Sequence, residues 1–173
     1  MTTMTGGIPV VAATVGGVDP AAGAAPTLPV SVALPSTIHD AIVAHARSQA
    51  PNEMCGFIVG TAAPADGGAA QRWEPARNAA ASPLRFEVAS EDLVRLTLEI
   101  DGRGEVVWAV VHSHVRSPAI PSAADVAGAS HADALHVLVS LATAEADPAT
   151  GSPSVRAWRL ADGAVVEVGL EVR

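Results

Sequence analysis

The chain has 173 residues, 49% of them apolar, and its ten basic and eighteen acidic residues give a formal net charge of −8. This length suits a single domain with a hydrophobic core. Every basic residue is arginine, which excludes catalysis through a lysine Schiff base or a phosphate-loop lysine. The acidic balance argues against binding to nucleic acid or to an anionic membrane surface.

The N-terminal segment, residues 1–29, differs from the rest of the chain. Gly, Ala, Pro and Thr dominate it without a sustained hydrophobic period, which predicts a flexible or disordered tail before one domain over residues 30–173. The first basic residue is Arg47, so the segment lacks the positively charged start of a secretory signal peptide. Cys55 is the only cysteine, which excludes an internal disulfide and fits a reducing compartment. We expect a cytoplasmic protein.

Strand and helix patterns alternate after the tail. The predicted helices have apolar residues at helical spacing and span residues 36–50, 90–104 and 122–133. The predicted strands have apolar or alternating patterns and span residues 28–35, 53–62, 72–80, 105–114 and 134–142, with 82–89 extended and a final hairpin over 154–172. The strand over 105–114 is apolar on both faces, as is typical of a buried central strand. This order predicts an α/β (α+β) fold with a mixed sheet flanked by helices.

Local signals predict how these elements begin and turn. Ser36 or Thr37 is expected to cap the first helix and Ser90 the second, because short polar side chains accept the unpaired N–H groups of a helix start. Asp162 and Gly163 predict the turn of the final hairpin.

Two histidines stand one residue apart at the end of the predicted central strand. Successive strand side chains point to opposite faces, so His112 and His114 share a face about 7 Å apart. Two imidazoles at this spacing can chelate one ion, and pockets in α/β sheets open at the carboxyl ends of strands. The alternative is that the pair occurs by chance.

A serine and an aspartate follow at a predicted helix start. Ser122 and Asp125 are neighbours at helical spacing, and the loop over residues 115–121 is long enough to fold that start back over the histidines. His112, His114 and Asp125 would then make a three-ligand set with a fourth position open, as in catalytic zinc sites. The local alternative is a capping box that only closes the helix start.

A zinc hydrolase also needs a proton carrier close to the metal. Glu53 is the strongest candidate, because it begins an apolar predicted strand and burial of a carboxyl raises its pKa. The alternative is an exposed glutamate at a helix end, which the local sequence alone favours.

These residues together resemble the signature of the JAMM (MPN+) metalloprotease family. The match consists of Glu53 in PNEMCGFIVG, His112-Ser-His114, seven further residues and Ser122-Ala-Ala-Asp125. The likeness extends over residues 30–173 and includes the segment NAAASPLRF. By their compact length and general pattern, the actinobacterial Mec-type members are the most similar.

The resemblance implies an MPN-like mixed sheet of cytidine-deaminase-like architecture and a role for each residue of the signature. His112, His114 and Asp125 would bind one Zn²⁺ per chain, with water as the fourth ligand. Glu53 would act as general base and then as general acid. Ser122 would hydrogen-bond the tetrahedral oxyanion.

The resemblance also implies a reaction and a partner. The family hydrolyses the amide or isopeptide bond after the C-terminal glycine of ubiquitin-like proteins, and its Mec-type members release cysteine from a sulfur-carrier protein in cysteine biosynthesis. A carrier–cysteine adduct is therefore the expected substrate, and a homodimer is an alternative to a monomer. Many members have proline after the second histidine, where this chain has Val115, so the loop with Arg116 bears on substrate choice. An arginine there can bind a carboxylate.

Other function classes stay as alternatives. One is an isopeptidase that acts on other ubiquitin-like conjugates, and another is a non-catalytic MPN-type interaction module. Inactive relatives typically lose a ligand or the glutamate, whereas all five positions are present here. A zinc deaminase is disfavoured because the chain lacks the His/Cys/Cys ligand set.

Two apolar residues near the signature have simpler interpretations. Cys55 shares the predicted strand face of Glu53 and is expected to be a buried structural thiol rather than a nucleophile. Trp108 shares the predicted face of the two histidines, so it either walls the site or packs in the core.

Overall fold

The computed structural model describes residues 30–161 and 163–173, so the predicted tail over 1–29 and the turn residue Asp162 lie outside the described residues. The strands are β1 (Ser31–Leu34), β2 (Cys55–Gly60), β3 (Ala70–Ala76), β4 (Val106–His114), β5 (Leu135–Ser140), β6 (Ser154–Ala161) and β7 (Ala164–Val172). The α-helices are α1 (Ser36–Gln49), α2 (Ser90–Gly102) and α3 (Ala123–Gly128). None of these helices is long and apolar enough to span a membrane.

One mixed sheet contains the seven described strands in the order β1-β7-β6-β5-β4-β2-β3. β1 with β7 and β4 with β5 run parallel, while the other neighbours are antiparallel. The predicted mixed sheet flanked by helices is confirmed, and so is the final hairpin of β6 and β7. Because parallel neighbours need a crossover, the chain between β4 and β5 must leave the sheet and return, and α3 lies on that crossover.

The two faces of the sheet bury separate apolar clusters. α1 covers one face, where Ile42 belongs to the same cluster as Val111 of β4. α2 covers the other face, where Leu96 belongs to the same cluster as Val110. β4 contributes to both clusters because successive strand side chains point to opposite faces. The predicted central strand is confirmed, since every residue from Trp108 to the end of β4 is buried.

Trp108 packs in the core and does not wall the histidine face. A β-bulge on β4 between Val107 and Ala109 leaves Trp108 without a cross-strand partner on β2. The extra residue changes the alternation of side chains, so the indole joins the cluster beneath α1. Its Nε1 donates to the Gly68 carbonyl at 2.8 Å. Core packing is thus the correct alternative for this residue.

The predicted caps of α1 and α2 are wrong. Ser36 and Ser90 are each the first residue of their helix, and Thr37 is the second residue of α1. Pro35 and Ala89 take the cap positions without a side-chain hydrogen bond. The N–H of Ser36 donates instead to the carbonyl of the C-terminal residue at 2.7 Å. A contact distant in sequence therefore satisfies this helix start, which a local pattern cannot reveal.

Gly56 of β2 lies where the neighbouring strand leaves no room for a side chain. A Cβ there would lie 2.4 Å from the Glu74 carbonyl oxygen and 2.5 Å from the Trp73 indole. We expect Gly56→Ala to lower the free energy of unfolding by about 1–3 kcal/mol, as overpacking does, measured by urea denaturation. The matched control is Gly102→Ala, because a Cβ at Gly102 meets nothing within 4 Å and alanine favours a helix. Equal losses of stability in both variants would contradict the packing argument.

Candidate metal centre

His112 and His114 lie at the C-terminal end of β4, on the sheet face that α2 covers. Their ring centroids are 5.1 Å apart, and their side chains are 0% and 6% exposed. The Phe86 ring stacks on His112 with 4.4 Å between centroids and 23° between planes. The two imidazoles therefore lie side by side and are almost completely shielded from solvent.

The side chain of Asp125, in the first turn of α3, lies beside both imidazoles. Its Oδ1 lies 3.2 Å from His112 Nε2, and its Oδ2 lies 3.5 Å from His114 Nε2. One ligand atom from each of the three residues lies within 4.8 Å of the others. Atoms bound to one zinc ion at about 2.0–2.2 Å lie roughly 3–4 Å apart, so the cluster is close to what a single ion requires.

The ring nitrogens indicate which atoms are available to a metal. His114 Nδ1 lies 2.6 Å from the Pro118 carbonyl oxygen, so Nδ1 carries the proton and donates it, and the lone pair resides on Nε2. Both nitrogens of His112 are buried and neither makes a hydrogen bond with the described residues, although the Asp125 carboxylate lies beside Nε2. Buried polar atoms are almost always paired in folded proteins. A cation beside His112 Nε2 would supply that missing interaction, so the residues fit a metal ion.

The protonation states of His112 and Asp125 also suit a cation. Burial lowers the pKa of His112 and so favours its neutral form. Burial alone would raise the pKa of Asp125, but the adjacent imidazoles hold that pKa below its ordinary value. Neutral imidazole and ionised carboxylate are the forms that bind metal.

The loop over residues 115–121 folds back because β6, two strands away from β4, anchors it. Trp158 Nε1 donates to the Ala119 carbonyl at 2.9 Å, and Ala119 is fully buried in the apolar cluster that contains Trp158. This anchor fixes the adjacent Pro118 carbonyl beside His114. It also directs the chain so that α3 returns over the histidines.

Ser122 caps α3, as the local alternative predicts. Its Oγ accepts a hydrogen bond from the Asp125 N–H at 3.2 Å, and its own N–H donates to Asp125 Oδ2 at 2.6 Å. The capping box therefore restrains the side chain of a candidate ligand. The Ser122 hydroxyl proton has no acceptor within the described part of the chain, so capping is compatible with a second role as donor.

Glu53 lies two residues before β2 and is 5% exposed, so it is not the surface residue that the local sequence favours. Cys55 pairs with His112 across the antiparallel β2–β4 ladder. Continuation of this register places Glu53 opposite His114, on the face of the candidate ligands. Burial raises the pKa of Glu53 to about 7, with His114 opposing the shift and Asp125 adding to it.

Ser113, between the two histidines, points to the opposite face and ties β4 to the Glu53 segment. Met54 N–H donates to Ser113 Oγ at 2.9 Å, and Ser113 N–H donates to the Met54 carbonyl at 3.1 Å. This reciprocal pair extends the β2–β4 pairing beyond the end of β2. Sequence reasoning does not identify the role of Ser113. The available signal is a hydroxyl at a position that faces the core, where it requires a polar partner.

A cavity of about 410 Å³ adjoins the candidate ligand Asp125. Phe57, Phe86 and Val110 contribute to its apolar walls. His136 of β5 also lines it and is buried, and its ring nitrogens have no hydrogen-bond partner in the described ranges. Burial lowers the pKa of His136 to about 4, so a neutral imidazole faces this space near neutral pH.

Cys55 is fully buried on the same sheet face as the candidate ligands. Its Sγ donates to the Ala76 carbonyl at 3.7 Å. Burial raises the pKa of the thiol to about 12, which keeps it protonated and unreactive. The predicted structural role of this cysteine is confirmed.

Comparison with known proteins identifies the domain. The family model of the prokaryotic homologs of the JAB domain matches residues 35–161. The chain belongs to this family. The resemblance to the JAMM (MPN+) enzymes that the sequence indicates is thereby confirmed, together with the expected fold class.

Two relatives of this JAB-domain chain have named activities. The CysO-cysteine peptidase of Mycobacterium tuberculosis is 35% identical over 133 residues, which cover 77% of this chain and 85% of that protein. The desampylase of Haloferax volcanii is 31% identical over 99 residues, which cover 54% of this chain and 69% of that protein. The expected enzyme class, a peptidase or isopeptidase of JAMM type, is confirmed.

Solved structures are similar over most of this JAB-domain chain. A protein of Desulfitobacterium hafniense superposes with a TM-score of 0.68 at 26% identity, over 82% of this chain and 92% of that one. A protein of Salinibacter ruber gives a TM-score of 0.56 at 25% identity, over 82% and 91% of the two chains. The arrangement of sheet and helices is therefore shared with known domains.

Proposed function

We propose that this chain is a zinc-dependent peptidase that hydrolyses the bond after the C-terminal glycine of a ubiquitin-like or sulfur-carrier protein. The proposed substrate is a carrier–cysteine adduct, which would yield the free carrier and cysteine for cysteine biosynthesis. The observation that carries the proposal is the convergence of His112, His114 and Asp125 at a point that the buried Glu53 also faces. The likeness to a CysO-cysteine peptidase over 85% of that protein supports the choice of substrate.

His112, His114 and Asp125 would hold the zinc ion and leave a fourth position for water. The buried Nε2 of His112 supports this assignment, since it makes no hydrogen bond with the described residues although Asp125 Oδ1 lies 3.2 Å away. When bound, zinc supplies Lewis acidity, which polarises a carbonyl and makes water more acidic. The movement of protons then depends on residues of the chain itself.

Glu53 would move one proton from the attacking water to the leaving amine. Its carboxylate accepts that proton as the water oxygen attacks the glycine carbonyl carbon, and then donates it to the amine nitrogen as the C–N bond breaks. Water is thus added across the amide, with hydroxyl on the acyl carbon and hydrogen on the nitrogen. A pKa of about 7 suits both steps, because neither protonation state is strongly disfavoured at neutral pH.

Ser122 would stabilise the negative charge that develops on the carbonyl oxygen. Its hydroxyl proton is available to an acceptor outside α3, while its Oγ stays fixed by the Asp125 N–H. A donor that is already oriented costs no reorganisation during the reaction. The helix cap and the oxyanion contact would thus use different parts of one hydroxyl group.

The loop after the second histidine supports a cysteine adduct over an isopeptide conjugate. Arg116 is exposed at this position, next to the end of β4. A cysteine leaving group has a free carboxylate that an arginine can bind, whereas a lysine within a protein conjugate has none. The desampylase relative favours the isopeptidase as the second candidate. A non-catalytic module is disfavoured because all five signature residues are present.

Intact-mass analysis of two substrates tests the proposed reaction. We expect the protein to cleave a sulfur carrier–cysteine adduct, and Glu53→Gln to lower the rate by about 10²–10⁴-fold through loss of the proton carrier. The variant should keep its zinc, since Glu53 is not a proposed ligand. Glu99→Gln on α2 is the matched control, because this partly exposed glutamate lies outside the site. Cleavage of a ubiquitin-like fusion alone would select the isopeptidase, and an active Glu53→Gln variant would refute the mechanism.

Metal analysis tests the proposed ligands separately from activity. We expect about one zinc per chain in the wild type, and a much lower content in Asp125→Asn because a neutral amide is a poor zinc ligand. Asparagine can still accept the Ser122 N–H, so the cap of α3 should be retained. Asp101→Asn, near the end of α2, is the control and should bind zinc normally. A chelator should abolish activity and added zinc should restore it; full activity of the chelated, zinc-free protein would exclude a metalloenzyme.

A further inference from the structure

Asn78 lies just after β3, and its side-chain amide makes four hydrogen bonds, one of them to the backbone of Glu53. Its Nδ2 donates to the Glu53 carbonyl at 2.9 Å and to the Arg85 carbonyl at 3.2 Å. Its Oδ1 accepts the N–H groups of Ala80 and Glu87, each at 3.0 Å. An amide side chain has two donor hydrogens and one oxygen that accepts two bonds, so all four interactions are made.

The bond to Glu53 completes the restraint of its backbone. The Glu53 N–H donates to the Ser82 carbonyl at 2.9 Å, and the next residue, Met54, pairs with Ser113 on β4. The Asn78 bond fixes the remaining carbonyl between these two contacts. The peptide groups on both sides of the Glu53 Cα are therefore held, and so is the direction of its side chain toward His114.

The other bonds of Asn78 restrain the aromatic residue that packs on a candidate metal ligand. Arg85 and Glu87 flank Phe86, and Asn78 binds the carbonyl of the first and the N–H of the second. The Phe86 ring stacks on His112. One side chain thus connects Glu53 to the wall of the metal cluster through the backbone on each side of Phe86.

The turn between these contacts needs such restraint. Ala81 adopts a φ of 42°, in the left-handed region that residues with a Cβ disfavour. Its N–H donates to the Asn78 carbonyl at 3.2 Å. The Asn78 main chain and side chain together stabilise the strained turn that presents the Ser82 carbonyl to Glu53.

We propose that Asn78 is a positioning residue that aligns Glu53 and Phe86 with the metal cluster. It acts through the backbone and does not contact the reacting atoms. The inference rests on the proposed function, because it assumes that the Glu53 carboxylate transfers the proton. Asn78 would then control the rate of turnover and would affect neither metal binding nor substrate affinity.

The Asn78→Asp variant separates this role from support of the loop. An aspartate keeps the oxygen that accepts the Ala80 and Glu87 N–H groups, but it has no hydrogen to donate to the Glu53 and Arg85 carbonyls. We expect kcat for the carrier–cysteine adduct to fall about 10- to 100-fold, since displacement of a catalytic group by about 1 Å has this effect. KM should change less than threefold, and zinc content should equal that of the wild type.

Two further variants are needed, one to control for a general loss of stability and one in case the Asn78→Asp variant does not fold. Asp147→Ala removes a comparable set of loop bonds, to the Ala149 and Thr150 N–H groups and the Thr150 hydroxyl, none of which belongs to the proposed site. It should lower the melting temperature and leave kcat unchanged. Ser113→Ala releases the Glu53 segment from the β4 side and should reproduce the selective loss of kcat, at full zinc content, even if the Asn78→Asp variant does not fold.

The outcomes are distinguishable from failure of the proposed function. Wild-type kcat in the folded Asn78→Asp variant, while Glu53→Gln is inactive, would overturn the positioning role and leave the peptidase proposal intact. A parallel loss of zinc and activity would also overturn it, because Asn78 would then act on the metal cluster. If the wild type does not cleave the adduct, or Glu53→Gln is fully active, the proposed function itself fails.

Discussion

The candidate site depends on the antiparallel pairing of β2 with β4 and on its continuation past the end of β2. The Ser113–Met54 pair is the step that continues it, since a buried hydroxyl and two backbone groups satisfy one another there. This pairing places Glu53 opposite His114, although the two residues are far apart in sequence. The ladder therefore determines the distance between the proposed proton carrier and the proposed metal. Asp125 arrives separately, on the crossover that the parallel β4–β5 pair requires.

Much of this arrangement could be predicted because it follows from periodicity and local chemistry. The alternation of side chains along β4 places two histidines on one face, and the Ser-x-x-Asp pattern starts α3. The cap of α1 was not predicted correctly because a distant contact replaces a local one: the N–H of Ser36 donates to the Arg173 carbonyl. The alternation along β4 predicts the wrong face for Trp108, because a bulge has no signature in an apolar run, whereas its alternative role in core packing is correct. Asn78 could not be identified, since its four partners come together only in the fold.

The proposed ligands and the local helix structure share the same atoms. Asp125 Oδ2 accepts the Ser122 N–H and also lies near His114 Nε2. The interpretation of Ser-x-x-Asp as a capping box is therefore correct, and it does not exclude a metal site. A capped aspartate has fewer accessible rotamers, so less conformational entropy is lost when it binds an ion. The short α3, which buries none of its residues, is suited to hold a ligand rather than to build the core.

The loop that Asn78 restrains also exposes a large apolar side chain beside the cavity. Leu84 at the tip is 85% exposed and lines the rim of the cavity, and its side chain contributes no hydrogen bond to the alignment of Glu53. Substitution of Pro83 or Leu84 would therefore change which substrates fit the cavity mouth, while the residues around the metal cluster stay the same. Under the proposed function, substrate recognition at this loop and alignment of Glu53 would thus depend on different residues.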